Sequence, residues 1–311
     1  MNTHALHDLL TTKLGLDPDA VGPSFLTMVA RRSVAKSGQA DLDSFVDAAR
    51  HGGEAWEILL DQVLVLETWF FRDRATFETL PSLVRHRWRG PGSAPVRLLS
   101  WPCSTGEEPY SVAIALSEAG LPREAFTIDA ADVSPQAIAA ARAGIYGPRS
   151  FRGAGPWHRS PYFEHAEGRG HWRVTPAYRS MVEFRRANLV SLHGLAPAAR
   201  YDVVLCRNVL IYLHAEARAR VMRTLGSLLE PGGVLIVGHA EAGIALEHGF
   251  RVHGAPEAFA FVSAAPGAEG SKAARAGDGS ASPGRRKTPP DRKSTRLNAS
   301  HVSESRMPSS A

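Results

Sequence analysis

Cysteine is scarce in this chain: Cys103 and Cys206 are the only two in 311 residues. They are too few and too solitary for a disulfide framework or a cysteine-based metal cluster. No apolar run reaches membrane-spanning length. The stretch Met1 to Leu16 has no basic region followed by an apolar core, so a secretion leader is not expected. These absences point to a reduced, cytoplasmic protein without membrane insertion. A basic excess is also missing from most of the chain. The net charge of +5 is carried by residues 265–311, which hold nine Lys/Arg and four Asp/Glu. The rest is neutral overall, which argues against a nucleic-acid partner.

The composition that remains, 44% hydrophobic and 22% charged, is that of a soluble globular protein with enough length for a large core. Residues 1–90 carry apolar positions at helical spacing, as in Phe25, Met28 and Val29 or Leu59, Leu60, Val63 and Leu64. A Gly- and Pro-rich stretch, Gly90 to Pro95, reads as a linker. Beyond it the pattern alternates. Strands are predicted at Val96–Leu99, Phe126–Ala131, Asp202–Cys206 and Gly233–Val237, with helices at Pro109–Ala119, Pro135–Ala143 and Ala215–Leu229. This implies an α/β fold with a mostly parallel sheet covered by helices. A short helix over Glu241–Leu246 and a hairpin from Phe250–Val252 and Ala258–Val262 are expected to follow. Residues 145–187 break the rhythm with Gly, Pro, Arg, His and aromatics, and read as an inserted β-rich subdomain suited to a partner peptide. After Ser263 the apolar periodicity ends. Residues 264–311 are expected to be a disordered tail and to lie outside the native fold.

The most informative segment is Ser100-Trp101-Pro102-Cys103-Ser104-Thr105-Gly106-Glu107-Glu108-Pro109-Tyr110. A buried strand runs into a small-residue turn that opens a helix, the arrangement by which α/β folds make nucleotide and nucleoside sites. The turn has no Lys to cradle phosphate. Its two acids, Glu107 and Glu108, suit a ligand with ribose hydroxyls and a positive charge, and S-adenosylmethionine has both. Asp132 ends the next predicted strand, where an acid can hold ribose hydroxyls; the competing role is to accept backbone bonds at the start of the next helix. Arg207, Asn208 and Tyr212 follow another strand end, and a buried Arg there needs a partner. Thr68 and Arg72 are four apart in Glu67–Asp73, on one face if that segment is helical.

Together these segments resemble the chemotaxis receptor methyltransferase (CheR) family over roughly residues 5–263. The matching pieces are Glu67–Asp73, Cys103–Ser111, Asp132, Ala143 to Tyr146, Tyr162-Phe163, Phe184, Asn188-Leu189, Cys206–Tyr212 and Pro231 to Glu241. The resemblance implies an all-α domain over 1–90 and a Rossmann-like S-adenosylmethionine-dependent methyltransferase domain over 91–263. It implies methyl transfer to glutamate side chains of chemoreceptor cytoplasmic helices, with S-adenosylhomocysteine as product. It assigns cofactor contacts to Thr68, Arg72, Glu108, Asp132, Asn188, Leu189, Arg207 and Asn208, leaves open which of Glu107 and Glu108 points inward, and sets Arg72 and Tyr212 beside the reacting atoms. No metal is implied, and a monomer is expected. Many members read Asn-Glu-Thr where this chain has Leu66-Glu67-Thr68. The rival readings are a methyltransferase acting on another substrate and a non-catalytic, cofactor-binding scaffold.

Overall fold

Strands whose two faces are both apolar must be covered by helices on both sides. That requirement organises the larger part of this molecule. The computed structural model describes residues 3–17, 20, 22–64, 66–152, 161–191, 194 and 200–263, all within the unit Met1–Ala265. The expectation for the tail, and Trp157 of the insertion, lie outside the described residues.

Four helices come first: α1 (His4–Leu14), α2 (Pro23–Ser37), α3 (Leu42–Arg50) and α4 (Gly53–Val63). Pro23 opens α2 where its missing N–H is of no consequence, and Asp41 caps α3 by accepting from the Ser44 N–H at 2.9 Å. Their apolar faces make a core of their own, centred on Leu6, Leu10, Val29, Phe45, Leu59 and Leu60. Helix α5 (Arg74–Arg87) precedes the Gly90–Pro95 linker, yet its Phe77, Leu80 and Val84 pack into the core of the sheet instead.

The chain continues through β1 (Val96–Ser100), α6 (Glu107–Glu118), β2 (Phe126–Asp132) and α7 (Pro135–Ala143), then three short strands, β3 (Ile145–Tyr146), β4 (Phe163–His165) and β5 (Trp172–Val174). After these come β6 (Val182–Arg186), β7 (Tyr201–Cys206), α8 (Ala215–Leu228), β8 (Leu229–Val237), α9 (Ala242–Glu247), β9 (Phe250–Val252) and β10 (Ala260–Ser263). Seven strands form the main sheet in the order β6-β2-β1-β7-β8-β10-β9. All neighbours are parallel except β10, which runs antiparallel to both β8 and β9. This is the Rossmann-like α/β fold expected of the sequence. One core lies on each face, with α6 and α7 over Leu98, Ile128 and Leu205, and α8 and α9 over Leu99, Val204 and Leu235.

Strands β3, β5 and β4 form the separate antiparallel sheet of the insertion. One boundary is corrected. The sequence reading placed Val182–Arg186 inside the insertion, but it is a strand of the main sheet, paired with β2 from Ile128↔Val182 to Asp132↔Arg186. Only Val182 and Phe184 are buried there, and the intervening Glu183, Arg185 and Arg186 face solvent, so this edge strand lacked the continuous apolar run that marked its neighbours.

The strand order reverses at β1, between β2 and β7. In open α/β sheets ligands bind outside the carboxyl ends of strands at such a switch point.

Candidate active site at the carboxyl edge of the sheet

A cavity of about 240 Å³ opens at that switch point. Thr68, Arg72, Glu108, Asp132, Asn188, Leu189, Arg207, Asn208 and Tyr212 all line it, so the topology brings together residues spread over most of the described chain. Glu107 is absent from the lining. Its carboxylate accepts from Thr105 Oγ1 at 2.6 Å and from Ser150 Oγ at 2.8 Å, on the side of the insertion. Neighbouring positions at a helix start point about 100° apart, so only one of two adjacent acids can face the cavity. Burial raises the Glu107 carboxyl above its usual value, opposed by those two hydroxyls.

Both oxygens of Glu108 accept a hydrogen bond. Ser100 Oγ donates to Oε1 and Arg207 Nη1 to Oε2, each at 2.8 Å. The Arg207 side chain is 2% exposed and its second nitrogen reaches Asp73 Oδ2 at 2.6 Å and the Arg72 carbonyl at 2.8 Å. A buried guanidinium needs such partners, and here they come from two separate segments, the 72–73 turn and the start of α6. Asp73 was missed by sequence reasoning. The signal available was an acid next to a site Arg, in a chain whose other site Arg lacked a partner.

Asp132 performs the backbone role considered above. Its Oδ2 accepts from the Ser104 N–H at 2.8 Å and its Oδ1 from the Ser134 N–H at 3.0 Å. Burial pushes its carboxyl up, and the backbone bonds pull it down. Each oxygen keeps acceptor capacity toward the cavity. Ser104, held in the left-handed region at φ 49°, has a buried hydroxyl with no partner among the described residues. The cavity thus offers two acidic groups and an unpaired hydroxyl, which suits a hydroxyl-rich, positively charged ligand.

The segment 66–73 is irregular rather than helical, with Phe71 and Asp73 in the left-handed region. Thr68 and Arg72 therefore reach the cavity by a turn and not by helical spacing. Phe70 anchors the turn. It is fully buried, stacks on Phe151 at 5.1 Å and packs edge-on against Tyr146 and Phe163, both at 4.9 Å. The Phe70 N–H donates to the Ser150 carbonyl and the Phe71 N–H to Ser111 Oγ. Arg72 lies over Trp69 and donates to the Glu67 carbonyl at 3.0 Å. Asn188 ties the site to α1 by donating to the Lys13 carbonyl at 3.1 Å. Tyr212 stands at the mouth, 37% exposed. Both cysteines are free and buried, and Cys103 lines the cavity.

Residues 66–259 match the family described as "CheR methyltransferase, SAM binding domain". The chain is 36% identical over 222 residues to Chemotaxis protein methyltransferase 1 of Pseudomonas aeruginosa, covering 68% of this chain and 75% of that one. This chain belongs to the CheR methyltransferase family. The family's domain is the S-adenosylmethionine-binding domain, and the carboxylates lining the cavity are of the kind that accept from ribose hydroxyls. A CheR relative from Escherichia coli, named Chemotaxis protein methyltransferase, is 30% identical over 214 residues, covering 68% of this chain and 72% of that one. The Probable biofilm formation methyltransferase WspC of Pseudomonas putida is 38% identical over 263 residues, 84% of this CheR-family chain. The alignment spans 62% of the length of that relative. Among the described residues, no helix is long and apolar enough to cross a membrane.

Proposed function

We propose that this chain transfers the methyl group of S-adenosylmethionine to glutamate carboxylates on the cytoplasmic helices of chemoreceptors. The observation that carries the reading is the meeting of Arg72 and Tyr212, from opposite parts of the chain, on the cavity that also holds Glu108, Asp132, Arg207 and Asn208. When bound, the cofactor supplies an electrophilic methyl carbon on a sulfonium with a good leaving group.

A glutamate side chain with a free pKa near ~4.3 is already a carboxylate at neutral pH, so no general base is required. The protein's task is alignment and removal of water. Asp132 and Ser104 hold the ribose end. Arg207 keeps Glu108 and the 72–73 turn in place. Arg72 attracts the acceptor carboxylate. Tyr212, at the mouth, donates a hydrogen bond that orients it. Carboxylate and sulfonium lose charge together in the transition state, so a modestly polar mouth assists more than a strongly charged one. The exposed Leu66 and the half-buried Trp69 and Ile211 give it that character.

Tritiated-methyl transfer to receptor-containing membranes tests this, with base-labile release of methanol as the mark of a carboxyl ester. Label that resists base overturns the assignment to glutamate. A second reading concerns the receptor. The WspC relatives align over 84% and 87% of the chain, against 68% for the relatives from P. aeruginosa and E. coli named for chemotaxis. This favours a receptor of a biofilm pathway, which the same assay on two receptor preparations distinguishes.

A further inference from the structure

One buried acid near the cavity has no place in the scheme above. Glu241 is 0% exposed, and its carboxylate accepts four backbone bonds. Oε1 takes the Val209 and Leu210 N–H groups, each at 2.7 Å. Oε2 takes the Asn208 N–H at 2.8 Å and the Gly238 N–H at 2.7 Å. Three consecutive amides, 208 to 210, thus converge on one group. Such a nest is an anion site, and here the anion is the chain's own.

The surroundings are shaped for it. Asn208 sits at φ 60°, uncommon for a residue with a side chain, and this turns its N–H toward the carboxylate. A Cβ on Gly238 would lie 2.8 Å from both Glu241 Oε2 and Asn208 Nδ2, so only glycine admits the contact. The same corner carries Arg207, Asn208 and Tyr212 to the cavity. Its far end is held from the other side, where the His214 N–H donates to the Gly15 carbonyl and the Asp17 N–H to the Tyr212 carbonyl. Glu241 is the support at the near end. Four N–H donors in a dry site need four acceptor positions, which a carboxylate has and an amide lacks.

We propose that Glu241 is the positioning residue of this site: its carboxylate fills the 208–210 nest and so fixes the corner that presents Asn208 to the cofactor and Tyr212 to the acceptor. The inference rests on the methyl-transfer reading. It is tested on the full chain with Glu241→Gln and Glu241→Gly. The readouts are S-adenosylhomocysteine affinity by calorimetry and methyl transfer to receptor membranes, with sodium formate or sodium chloride added at equal ionic strength. Glu241→Gln turns an NH₂ against the amide donors, and transfer should fall by about tenfold or more. Glu241→Gly should lose as much but recover with formate in a saturable way, because formate can occupy the empty nest. Formate should not rescue Glu241→Gln. Adding Tyr212→Phe to Glu241→Gln should cost less than the product of the single losses, since both act on one group.

Wild-type affinity and transfer in Glu241→Gln overturn the proposal, as does a folded Glu241→Gly that formate leaves inactive. Should Glu241→Gly not fold, Glu241→Asp keeps the acceptors but shortens the reach. A stable Glu241→Asp with reduced transfer supports the role, and one with full transfer overturns it. A wild-type chain that binds no S-adenosylhomocysteine overturns the methyl-transfer reading and this inference with it. A wild-type chain that binds, beside a Glu241→Gln that binds and transfers equally, overturns the inference alone.

Discussion

The floor and the mouth of the cavity are built on opposite plans. At the floor, Asp132 and Arg207 are buried, the Glu108 side chain is 12% exposed, and their hydrogen bonds run to backbone, to Ser100 and Asp73, and between Arg207 and Glu108. At the mouth, Leu66 and Tyr212 are each 37% exposed, and Trp69 lies between the guanidiniums of Arg72 at 4.6 Å and Arg152 at 4.3 Å. Arg152 is paired in turn with Glu67 at 2.6 Å, both well exposed. The floor is preorganised, which suits a small ligand of constant shape. The mouth is held by stacking and a solvated ion pair, worth far less, which suits a macromolecular partner that arrives and leaves. The difference teaches where to expect losses of folding and of cofactor binding, and where to expect losses of transfer alone.

The strongest way to break this contrast is at the centre of the floor. Arg207→Ala leaves Glu108 and Asp73 without their counter-charge. It should destabilise the protein by about 3–5 kcal/mol, the range for one lost partner of a buried ion pair, as read by urea unfolding. A change below 1 kcal/mol would show that the floor is as solvated as the mouth.

Asp132→Ala comes next. It should weaken S-adenosylhomocysteine binding by about 1.5–3 kcal/mol, the value of hydrogen bonds to a charged group, measured by calorimetry. Unchanged affinity would confine Asp132 to its backbone bonds with Ser104 and Ser134.

Tyr212→Phe probes the mouth. Cofactor affinity and melting temperature should stay at wild-type values while methyl transfer slows roughly ten- to a hundredfold, or about 1.4–2.7 kcal/mol of transition-state stabilisation. A matching loss of cofactor affinity would move Tyr212 from the mouth to the floor.

The smallest effect is expected from Glu107→Gln, which sharpens the contrast between adjacent acids. Glu107 lies outside the cavity lining, so cofactor affinity should not change. Burial raises its carboxyl in the folded state, so the folded chain binds that proton more tightly than the unfolded one. Stability from this group is therefore complete below the unfolded value near ~4.3 and is lost as pH rises through the raised folded value. Gln has no such proton to lose. The variant should be slightly more stable than wild type at neutral pH, by less than about 1 kcal/mol, and its stability should depend less on pH across that window. Thermal melting at several pH values checks this.

Much of the site is legible from residue order because a parallel strand announces itself twice, by its apolar run and by the polar residues that follow it. Ser100 to Glu108, Asp132 and Arg207-Asn208 are all found in that way, and their convergence follows from the alternating α/β pattern. The Glu67–Asp73 segment is legible only as a motif. Its Trp69-Phe70-Phe71 run looks like core, and the turn that delivers Thr68 and Arg72 depends on Phe70 finding Tyr146, Phe151 and Phe163 some 80 residues away. Edge strand β6 was hidden because one of its faces meets water and carries charge.

The order of residues by itself therefore determined the class of fold, the strand ends that could form a site and the cofactor chemistry those ends suit. These rest on local pattern, on which residues can be dry and which polar groups end a buried strand. The tertiary structure alone decided which of two adjacent glutamates faces the cavity, that Arg207 pairs with both Glu108 and Asp73, that Glu241 fills a nest 31 to 33 positions back in the chain, and where α5 packs. Each of these is a choice among partners distant in sequence. A buried charge takes whichever partner the packed chain brings within hydrogen-bond reach, and only the completed fold sets that distance.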